Sequence, residues 1–449
     1  MVDLLVLFYI VYINQLQKKM MKRLAVFFHG SRVIFQVIAV LIFIIGTIVS
    51  FLVPFIIKDN PFDYWYVQGT FMIYLISSVF SYFTITNQVI YEAHQRKYIT
   101  NMVIQGIAVA KGIIEIFVIM AGQGLVGILV LLAVSNFLSS LIIYIISKKS
   151  FPNIQFKKKE KSFEILSDVK SLLVHKIGTI VAYNVDTLII TITKGLTYTS
   201  IYSQYLYITD NVGNIVSKIG NSAIAGVGDL IATDKQKAYG LFKEYNALSF
   251  FIATIICVPL VLVINSFIQI WHEGRIETSV LLAIAFILNL FYTIIRMPIN
   301  TYMNSAGLFK ETRLCPIIES VVNLVLSFIL IQVMGLPGVL FATFIAYLVS
   351  DYFIKPIIIY KQVFTTSAKK YYQINMLYIG IILGLTILWK VLFPTAPTDS
   401  YIHWFLYSAV LFIVNLLVAL VIYVVLKQAY FLNRLMDMFK RKWRRGVNG

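Results

Sequence analysis

The stretch that decides the fold lies at residues 171–233 and reads SLLVHKIGTIVAYNVDTLIITITKGLTYTSIYSQYLYITDNVGNIVSKIGNSAIAGVGDLIAT. It contains two mostly apolar segments, 171–192 and 198–224, each long enough to cross a bilayer, because about 20 helical residues span the hydrocarbon core. An ionisable side chain inside a membrane helix is costly unless it is paired or faces water. The stretch therefore predicts two membrane helices with functional side chains, carried at His175, Lys176, Asp186, Asp210 and Lys218.

The whole chain has the composition of a membrane protein. Hydrophobic residues make up 59% of its 449 residues, charged residues make up 13%, and the mean hydropathy is +0.83. These values predict an all-α polytopic membrane protein. The apolar runs predict about twelve transmembrane helices, at residues 34–57, 66–90, 102–120, 124–147, 171–192, 198–224, 246–265, 278–301, 314–333, 337–360, 373–393 and 402–426.

The spans and the charged loops between them predict a two-lobed organisation. The predicted parts are an interfacial or cytoplasmic segment (1–33), an N-lobe of four spans (34–147), a basic cytoplasmic linker (148–170), a C-lobe of six spans (171–360), two additional spans (361–426) and a basic cytoplasmic tail (427–449). No predicted loop is long enough to form a separate domain.

The net charge of +18 indicates a membrane orientation rather than a nucleic-acid partner. With both termini in the cytoplasm, the outside loops hold only Lys58, Lys194 and Arg275, as the positive-inside rule requires. The two cysteines, Cys257 and Cys315, both fall in spans and have neither disulfide nor metal-site spacing. The sequence therefore predicts no cofactor.

The segment 198–224 has a polar stripe along one side. Its polar residues recur at steps of three and four, the spacing of one helix face: Ser203, Tyr207, Asp210, Asn214, Ser217, Lys218 and Asn221. The opposite face carries Ile201, Leu206, Ile208, Val212, Ile215 and Ile219. The stripe either lines a wet cavity or is buried as hydrogen-bonding contact between helices. Its mixture of both charge signs favours the cavity.

Depth separates the charges of the preceding segment. Asp186 lies about 22 Å from the inner end of its span, counting about 1.5 Å per residue, and shares a helix face with His175. It is predicted to line a pathway or to pair with a cation. His175 and Lys176 lie near the inner end, where a lysine can extend to the headgroups, so either a functional or a purely interfacial role is open for them.

Charges elsewhere in the spans divide by whether a partner lies nearby. Lys111 with Glu115, and Asp351 with Lys355, are spaced i, i+4 and can neutralise each other on one helix face. Arg296 has no such partner and precedes Pro298, where a helix loses a backbone hydrogen bond. A fixed cation beside a weakened helix indicates a site for an anionic ligand.

Several segments together resemble the bacterial polysaccharide flippases, a family of the multidrug/oligosaccharidyl-lipid/polysaccharide exporter superfamily. The resemblance is carried by their order and spacing: HKIG at 175–178, NVDTLII at 184–190, YSQYLY at 202–207, AGVGDLIAT at 225–233, FYTIIRMPINTYMNSAGLF at 291–309 and PIIESVVNLVL at 316–326. By this alignment the segment 171–192 corresponds to the seventh helix of a fourteen-helix pattern. The first two helices of that pattern are therefore expected to be missing, through a truncation or a misassigned start.

The resemblance implies a flippase that moves a polyprenyl-diphosphate-linked oligosaccharide across the bacterial cytoplasmic membrane, for capsule, exopolysaccharide or O-antigen-like polysaccharide assembly. Such a protein works by alternating access and is not an enzyme. Its partners are the lipid-linked substrate, membrane lipids and possible polymerase or assembly proteins. On this basis Arg296, Lys176 and Lys218 are candidates to bind the diphosphate, whereas Asp186 and Asp210 are candidates for proton or sodium coupling.

Two other classes of function stay open. A multidrug exporter of the same fold takes organic cations and calls for an acidic cavity, which the basic candidates count against. A membrane enzyme of polysaccharide assembly, such as a polymerase or ligase, calls for an essential carboxylate or histidine outside the membrane. The outer loops and their edges offer His272, Glu273, Glu277, Asp399 and His403.

Overall fold

The computed structural model describes residues 21–57, 60–94, 96–151, 185–222, 224–308 and 311–430. The chain forms two compact units, residues 1–177 (the N unit) and residues 178–449 (the C unit). Every regular element of the described residues is helical. The predicted all-α polytopic fold is therefore confirmed.

The described part of the N unit consists of four helices: α1 (Met21–Ile56), α2 (Tyr64–Ala93), α3 (Lys97–Met120) and α4 (Gly124–Ser150). Helix α1 continues without a break across the predicted boundary between residues 33 and 34. Lys148 and Lys149, which open the predicted linker, form the last turn of α4. The rest of that linker, from residue 152 to 170, lies outside the described residues.

Small polar side chains join α2 to its neighbour α4. The Asn136 amide donates to the Ser77 hydroxyl at 2.9 Å, and the Ser140 hydroxyl donates to the Phe80 carbonyl at 2.7 Å. Thr84 also hydrogen-bonds to Ser140. In lipid, helices associate through such small and polar contacts because burial of apolar surface against another helix gains little over contact with acyl chains.

The described part of the C unit consists of eleven helices. They are α5 (described from residue 185 to 194), α6 (Leu196–Ser222), α7 (Ile224–Thr233), α8 (Lys235–Trp271), α9 (Val280–Ile295), α10 (Met297–Ala306), α11 (Cys315–Met334), α12 (Leu336–Tyr347), α13 (Lys355–Gln362), α14 (Lys369–Leu392) and α15 (Tyr401–Val425). A π-helical turn, Leu348–Tyr352, continues α12.

Helix α8 is the central helix of the C unit and packs against α9, α14 and α15. Hydrogen bonds of a buried amide and a stacked pair of tyrosine rings hold α8, α14 and α15 together. Asn415 of α15 donates to the Thr254 carbonyl of α8 at 3.1 Å and accepts from the indole of Trp389 of α14 at 2.9 Å. The rings of Tyr378 and Tyr423 stack with centroids 5.5 Å apart. Helices α8, α14 and α15 therefore form one interlocked layer.

Two local features position the remaining helices. Helix α9 ends at Ile295, and α10 starts at Met297 with Pro298 in its first turn, where the missing N–H of proline is tolerated. Helix α12 approaches α11 so closely that a Cβ on Gly338 would overlap the Leu330 carbonyl oxygen. Only glycine allows that approach.

Within the described residues, nine helices are long and apolar enough to cross a membrane, which makes the chain a multi-pass membrane protein. Three of the twelve predicted spans are not among the nine. Helices α2 and α6 occupy two of them and have the length to span a bilayer. The third, 171–192, is described only from residue 185 onwards.

Candidate functional site

The C unit encloses a polar cavity of about 450 Å³ between α5, α6, α9 and α12. Tyrosine and apolar side chains form part of its wall. Its polar lining residues are Asp186 and Thr187 of α5, Thr209, Asp210, Asn214 and Ser217 of α6, Asn289 and Thr293 of α9, Arg296 after α9, and Thr343 of α12. We call this space the C-unit cavity.

Helix α6 contributes the longest wall of the C-unit cavity. Asp210 and Asn214 are exposed, whereas Tyr205 and Val216, on the other side of the helix, are buried. The predicted polar stripe is thus the open side of α6 rather than a buried contact between helices. One residue departs from the predicted pattern, since Ile215 was assigned to the packed face and is 64% exposed.

Asp186 lines the cavity and is 6% exposed. The Thr343 hydroxyl lies 2.7 Å from its Oδ2, and the Asn323 amide donates to its Oδ1 at 3.3 Å. The same amide nitrogen lies 2.7 Å from the Thr343 hydroxyl. Asp186 forms no ion pair within the described part of the chain, so its hydrogen-bond partners there are neutral. A buried carboxylate with only neutral donors favours binding of a cation or a proton.

Arg296 lies at the junction of α9 and α10 and also lines the cavity. Its guanidinium carbon is 4.9 Å from the ring centroid of Tyr347 and 5.7 Å from that of Tyr292, and these two rings are themselves stacked 5.1 Å apart. Cation–π contacts of this kind hold a guanidinium in place. The sequence had given Arg296 no partner within one turn, yet Tyr292 is one turn away.

The structure brings four of the seven predicted site residues to this cavity: Asp186, Asp210, Asn214 and Arg296. Lys218 is exposed on α6 and does not line the cavity. His175 and Lys176 lie outside the described residues. Their predicted roles stay predictions.

The charge of the cavity differs from the sequence-based expectation of a basic pathway. Its described lining contains two carboxylates, Asp186 and Asp210, and one guanidinium, Arg296. Lys218, which was counted among the basic groups, belongs to the outer surface of α6. The charge argument against a cation exporter therefore has no support from this cavity.

Sequence reasoning missed the neutral residues that hold the charges in place. Asn323 and Thr343 belong to α11 and α12, far along the chain from Asp186. Each is a polar residue within a strongly apolar helix, and that contrast is the signal that could have identified them. Tyr347 was missed because the search for partners of Arg296 considered carboxylates rather than aromatic rings.

The two predicted i, i+4 pairs both form. The Lys111 ammonium lies 3.1 Å from Glu115, and the Lys355 ammonium lies 2.7 Å from Asp351. Lys355 also lies 3.4 Å from the Asn300 side chain of α10. Lys111 and Glu115 pair within α3, whereas Asp351 of the π-helical turn pairs with Lys355, the first residue of α13.

Three of the five residues proposed for an enzyme at the outer surface, Glu273, Asp399 and His403, lie close to an ionisable partner. Asp399 contacts His403 at 2.5 Å, and Glu273 pairs with Arg275 at 2.7 Å. The hydrogen bond with His403 holds the pKa of Asp399 below its usual range. Both pairs are exposed.

The fold resembles that of a solved transporter. Over 90% of this chain and 84% of the other, the structure matches that described as "Lipid II flippase MurJ, inward closed conformation", with a TM-score of 0.66 and 18% sequence identity. No protein-family model matches the chain. No curated protein sequence matches it either. At this identity the likeness shows the all-α polytopic fold alone, and the protein matched is itself described as a flippase.

Proposed function

We propose that the protein is a flippase that moves a polyprenyl-diphosphate-linked oligosaccharide across the bacterial cytoplasmic membrane by alternating access. The observation that carries the proposal is the extent of the structural match, since 90% of the chain follows the fold of a flippase whose substrate is a lipid-linked sugar unit. The sequence resemblance to polysaccharide flippases supports an oligosaccharide of capsule, exopolysaccharide or O-antigen type.

The C-unit cavity supplies the groups that such a substrate requires. A diphosphate needs fixed donors, and Arg296 offers a guanidinium that Tyr292 and Tyr347 hold in orientation. Arginine binds phosphate oxygens through two parallel N–H groups, which gives direction as well as charge. The hydroxyl and amide groups of Asn214, Asn289 and their neighbours suit the hydroxyl groups of a sugar.

Asp186 is proposed to couple transport to an ion gradient. Its carboxylate is buried with the Thr343 hydroxyl and the Asn323 amide as neutral partners. A proton on Asp186 leaves both of these hydrogen-bond partners in reach. A sodium ion fits less directly, because the Asn323 amide nitrogen rather than its oxygen faces the carboxylate, and the amide would have to turn. Proton coupling is therefore the simpler proposal.

The transport proposal is tested in cells that depend on this protein for surface polysaccharide. Arg296→Ala and Asp186→Ala are each expected to reach the membrane in normal amounts while lipid-linked units accumulate on the cytoplasmic side. Lys390→Ala, which removes an exposed cation of α14 outside the cavity, is the matched control and is expected to export normally. Normal polymer export in both cavity variants would disprove the proposal.

Coupling is tested in vesicles that contain the purified protein. Transport by the unaltered protein is expected to depend on a pH gradient, whereas Asp186→Asn removes that dependence. Asp229→Asn, an exposed carboxylate of α7, is the control and retains it. If Asp186→Asn responds to the gradient as the unaltered protein does, Asp186 is not the coupling group.

An exporter of organic cations with the same fold is the second candidate. The observation that favours it is the excess of carboxylates, Asp186 and Asp210, over Arg296 in the described lining of the cavity. The two candidates differ in the effect of Arg296→Ala, which abolishes flipping of an anionic lipid but leaves or improves efflux of a cation. Dye efflux and polysaccharide export, measured in the same strain, separate them.

A further inference from the structure

A second, smaller cavity of about 40 Å³ lies in the C unit, away from the C-unit cavity. It is formed by the start of α8, the end of α13, the start of α14 and the segment after α15. Its polar wall includes Tyr239, Lys243, Asn246, Lys370, Tyr378 and Gln428, and Tyr360 also lines it. We propose that this interfacial cavity binds the phosphate group of an anionic phospholipid of the cytoplasmic leaflet.

The position of the cavity along the helices places it at the level of lipid headgroups. Lys243 lies three residues before the predicted span that begins at 246, and Lys370 lies three residues before the one that begins at 373. Gln428 lies just after the predicted span that ends at 426. Tyr360 is the last residue of the predicted span 337–360. By the predicted orientation all these ends face the cytoplasm, where anionic lipids attract lysines. Tyrosines are also enriched at this depth of a membrane protein.

The charge of the cavity is suited to a phosphate. Lys243 and Lys370 are exposed, and neither forms an ion pair with a described carboxylate. The Lys243 ammonium is held 4.7 Å from the ring centroid of Tyr239, which fixes its position without neutralising it. Glu244 is adjacent in sequence but does not line the cavity. Two lysines, of which Lys243 is held in place by Tyr239, thus border a space with no carboxylate in its described lining.

The segment after α15 closes the cavity in a way that costs backbone strain. Lys427 has a φ of 56°, a left-handed conformation that residues other than glycine rarely adopt. The turn lets the Gln428 N–H bond to the Tyr423 carbonyl at 2.8 Å, and the Gln428 side chain accepts from the Tyr378 hydroxyl at 2.8 Å. Gln428 is therefore held over the cavity by a side chain from another helix.

One buried polar atom of the lining lacks a partner. Asn246 is 4% exposed and uses its amide nitrogen to bond Asn375 at 2.8 Å, yet no described donor reaches its Oδ1. Buried polar atoms are nearly always satisfied, and an exception points to an absent water or ligand. The volume of about 40 Å³ has room for roughly three water-sized atoms, similar to the free oxygens of a phosphodiester and one bridging water.

The experiment measures lipid binding to the purified full-length protein by native mass spectrometry. The probes are phosphatidylglycerol, phosphatidylcholine with the same acyl chains, and inorganic phosphate. The Lys243→Gln/Lys370→Gln variant is expected to bind phosphatidylglycerol roughly 10- to 30-fold more weakly than the unaltered protein, as two lysine–phosphate contacts are lost. The control, Lys361→Gln/Lys369→Gln, loses two exposed lysines of the same region that do not line the cavity, and retains binding.

A second variant, Tyr378→Phe, keeps the charge but releases Gln428, and is expected to weaken phosphatidylglycerol binding by a smaller factor. Equal losses in the two lysine variants would show attraction to diffuse surface charge and overturn the proposal. So would equal affinity for phosphatidylcholine, or displacement of the lipid by inorganic phosphate at similar concentrations, which would make a free phosphate the ligand. These outcomes do not depend on transport, so the site stands or falls separately from the proposed flippase function.

Discussion

The described helices of the N unit bury few side chains, whereas the central helices of the C unit bury many. The most apolar stretch of α3 is 0% buried and that of α4 is 17% buried, against 61% for α8 and 56% for the stretch that contains α9 and α10. The N unit is held by small polar contacts between helices, and the C unit by interlocked aromatic rings and buried amides. Single substitutions should therefore cost more stability in the C unit than in the N unit.

The two i, i+4 ion pairs test this difference most strongly. Asp351 has a side chain only 4% exposed, whereas Glu115 is 24% exposed. Asp351→Asn leaves Lys355 charged and poorly solvated, which typically costs about 3–5 kcal/mol of unfolding free energy. Glu115→Gln is expected to cost less, because Lys111, with 23% of its side chain exposed, is less enclosed and can move away from the lost partner. Equal losses for the two variants, measured by reversible unfolding in detergent, would contradict the contrast between the units.

Gly338→Ala probes the close contact between α11 and α12. Its new Cβ would overlap the Leu330 carbonyl, so the two helices must separate. Overpacking of this kind costs about 1–3 kcal/mol, and a clash with backbone belongs at the upper end. Gly226→Ala is the control, because nothing lies within 4 Å of its Cβ position. The comparison is made by thermal unfolding, and a Gly338→Ala protein as stable as the control would show that α12 moves freely against α11.

Asn415→Leu probes the buried amide contacts of the C unit. The substitution leaves the Trp389 indole N–H and the Thr254 carbonyl without their partner. An unsatisfied buried group typically costs about 1–3 kcal/mol. The measurement compares the unfolding free energies of Asn415→Leu and of the half-buried control variant Thr386→Ser. If Asn415→Leu lowers the unfolding free energy by less than Asn136→Ala does, the C unit is stabilised by its apolar packing alone.

Asn136→Ala probes the matching polar contact in the N unit. It removes the hydrogen bonds to Ser77 that join α4 to α2. Interhelical hydrogen bonds in membranes average about 0.6 kcal/mol, so a small loss is expected. The measurement is the same reversible unfolding, and a loss larger than that of Asn415→Leu would reverse the ranking of the two units.

The sequence predicted the parts of this fold that depend on neighbours along the chain. Apolar length located the helices, periodicity located the open side of α6, and Pro298 located the break between α9 and α10. Hydropathy did not reveal that α1 extends back to Met21, because charged and polar residues at the start of a helix lower the average without ending the helix.

The candidate site was predicted only in part for a physical reason. Asp186, Asp210, Asn214 and Arg296 stand out because charges and amides are rare in spans. Their partners do not stand out, since the contact of Asp186 with Thr343 joins residues 157 positions apart. Such contacts follow from how helices pack, and one sequence without relatives carries no direct record of that packing.

The polar open side of α6 also bears on how the chain enters the membrane. Helix α6 is one of the elements too polar to qualify as a span by apolarity alone, and it carries Asp210 and Lys218 within its length. A charged residue at the centre of a helix opposes its partition from the translocon into lipid. Helix α6 is therefore expected to leave the translocon together with its neighbours rather than singly. The polar side of α6 that lines the cavity in the folded protein is thus also expected to decide when this helix enters the membrane.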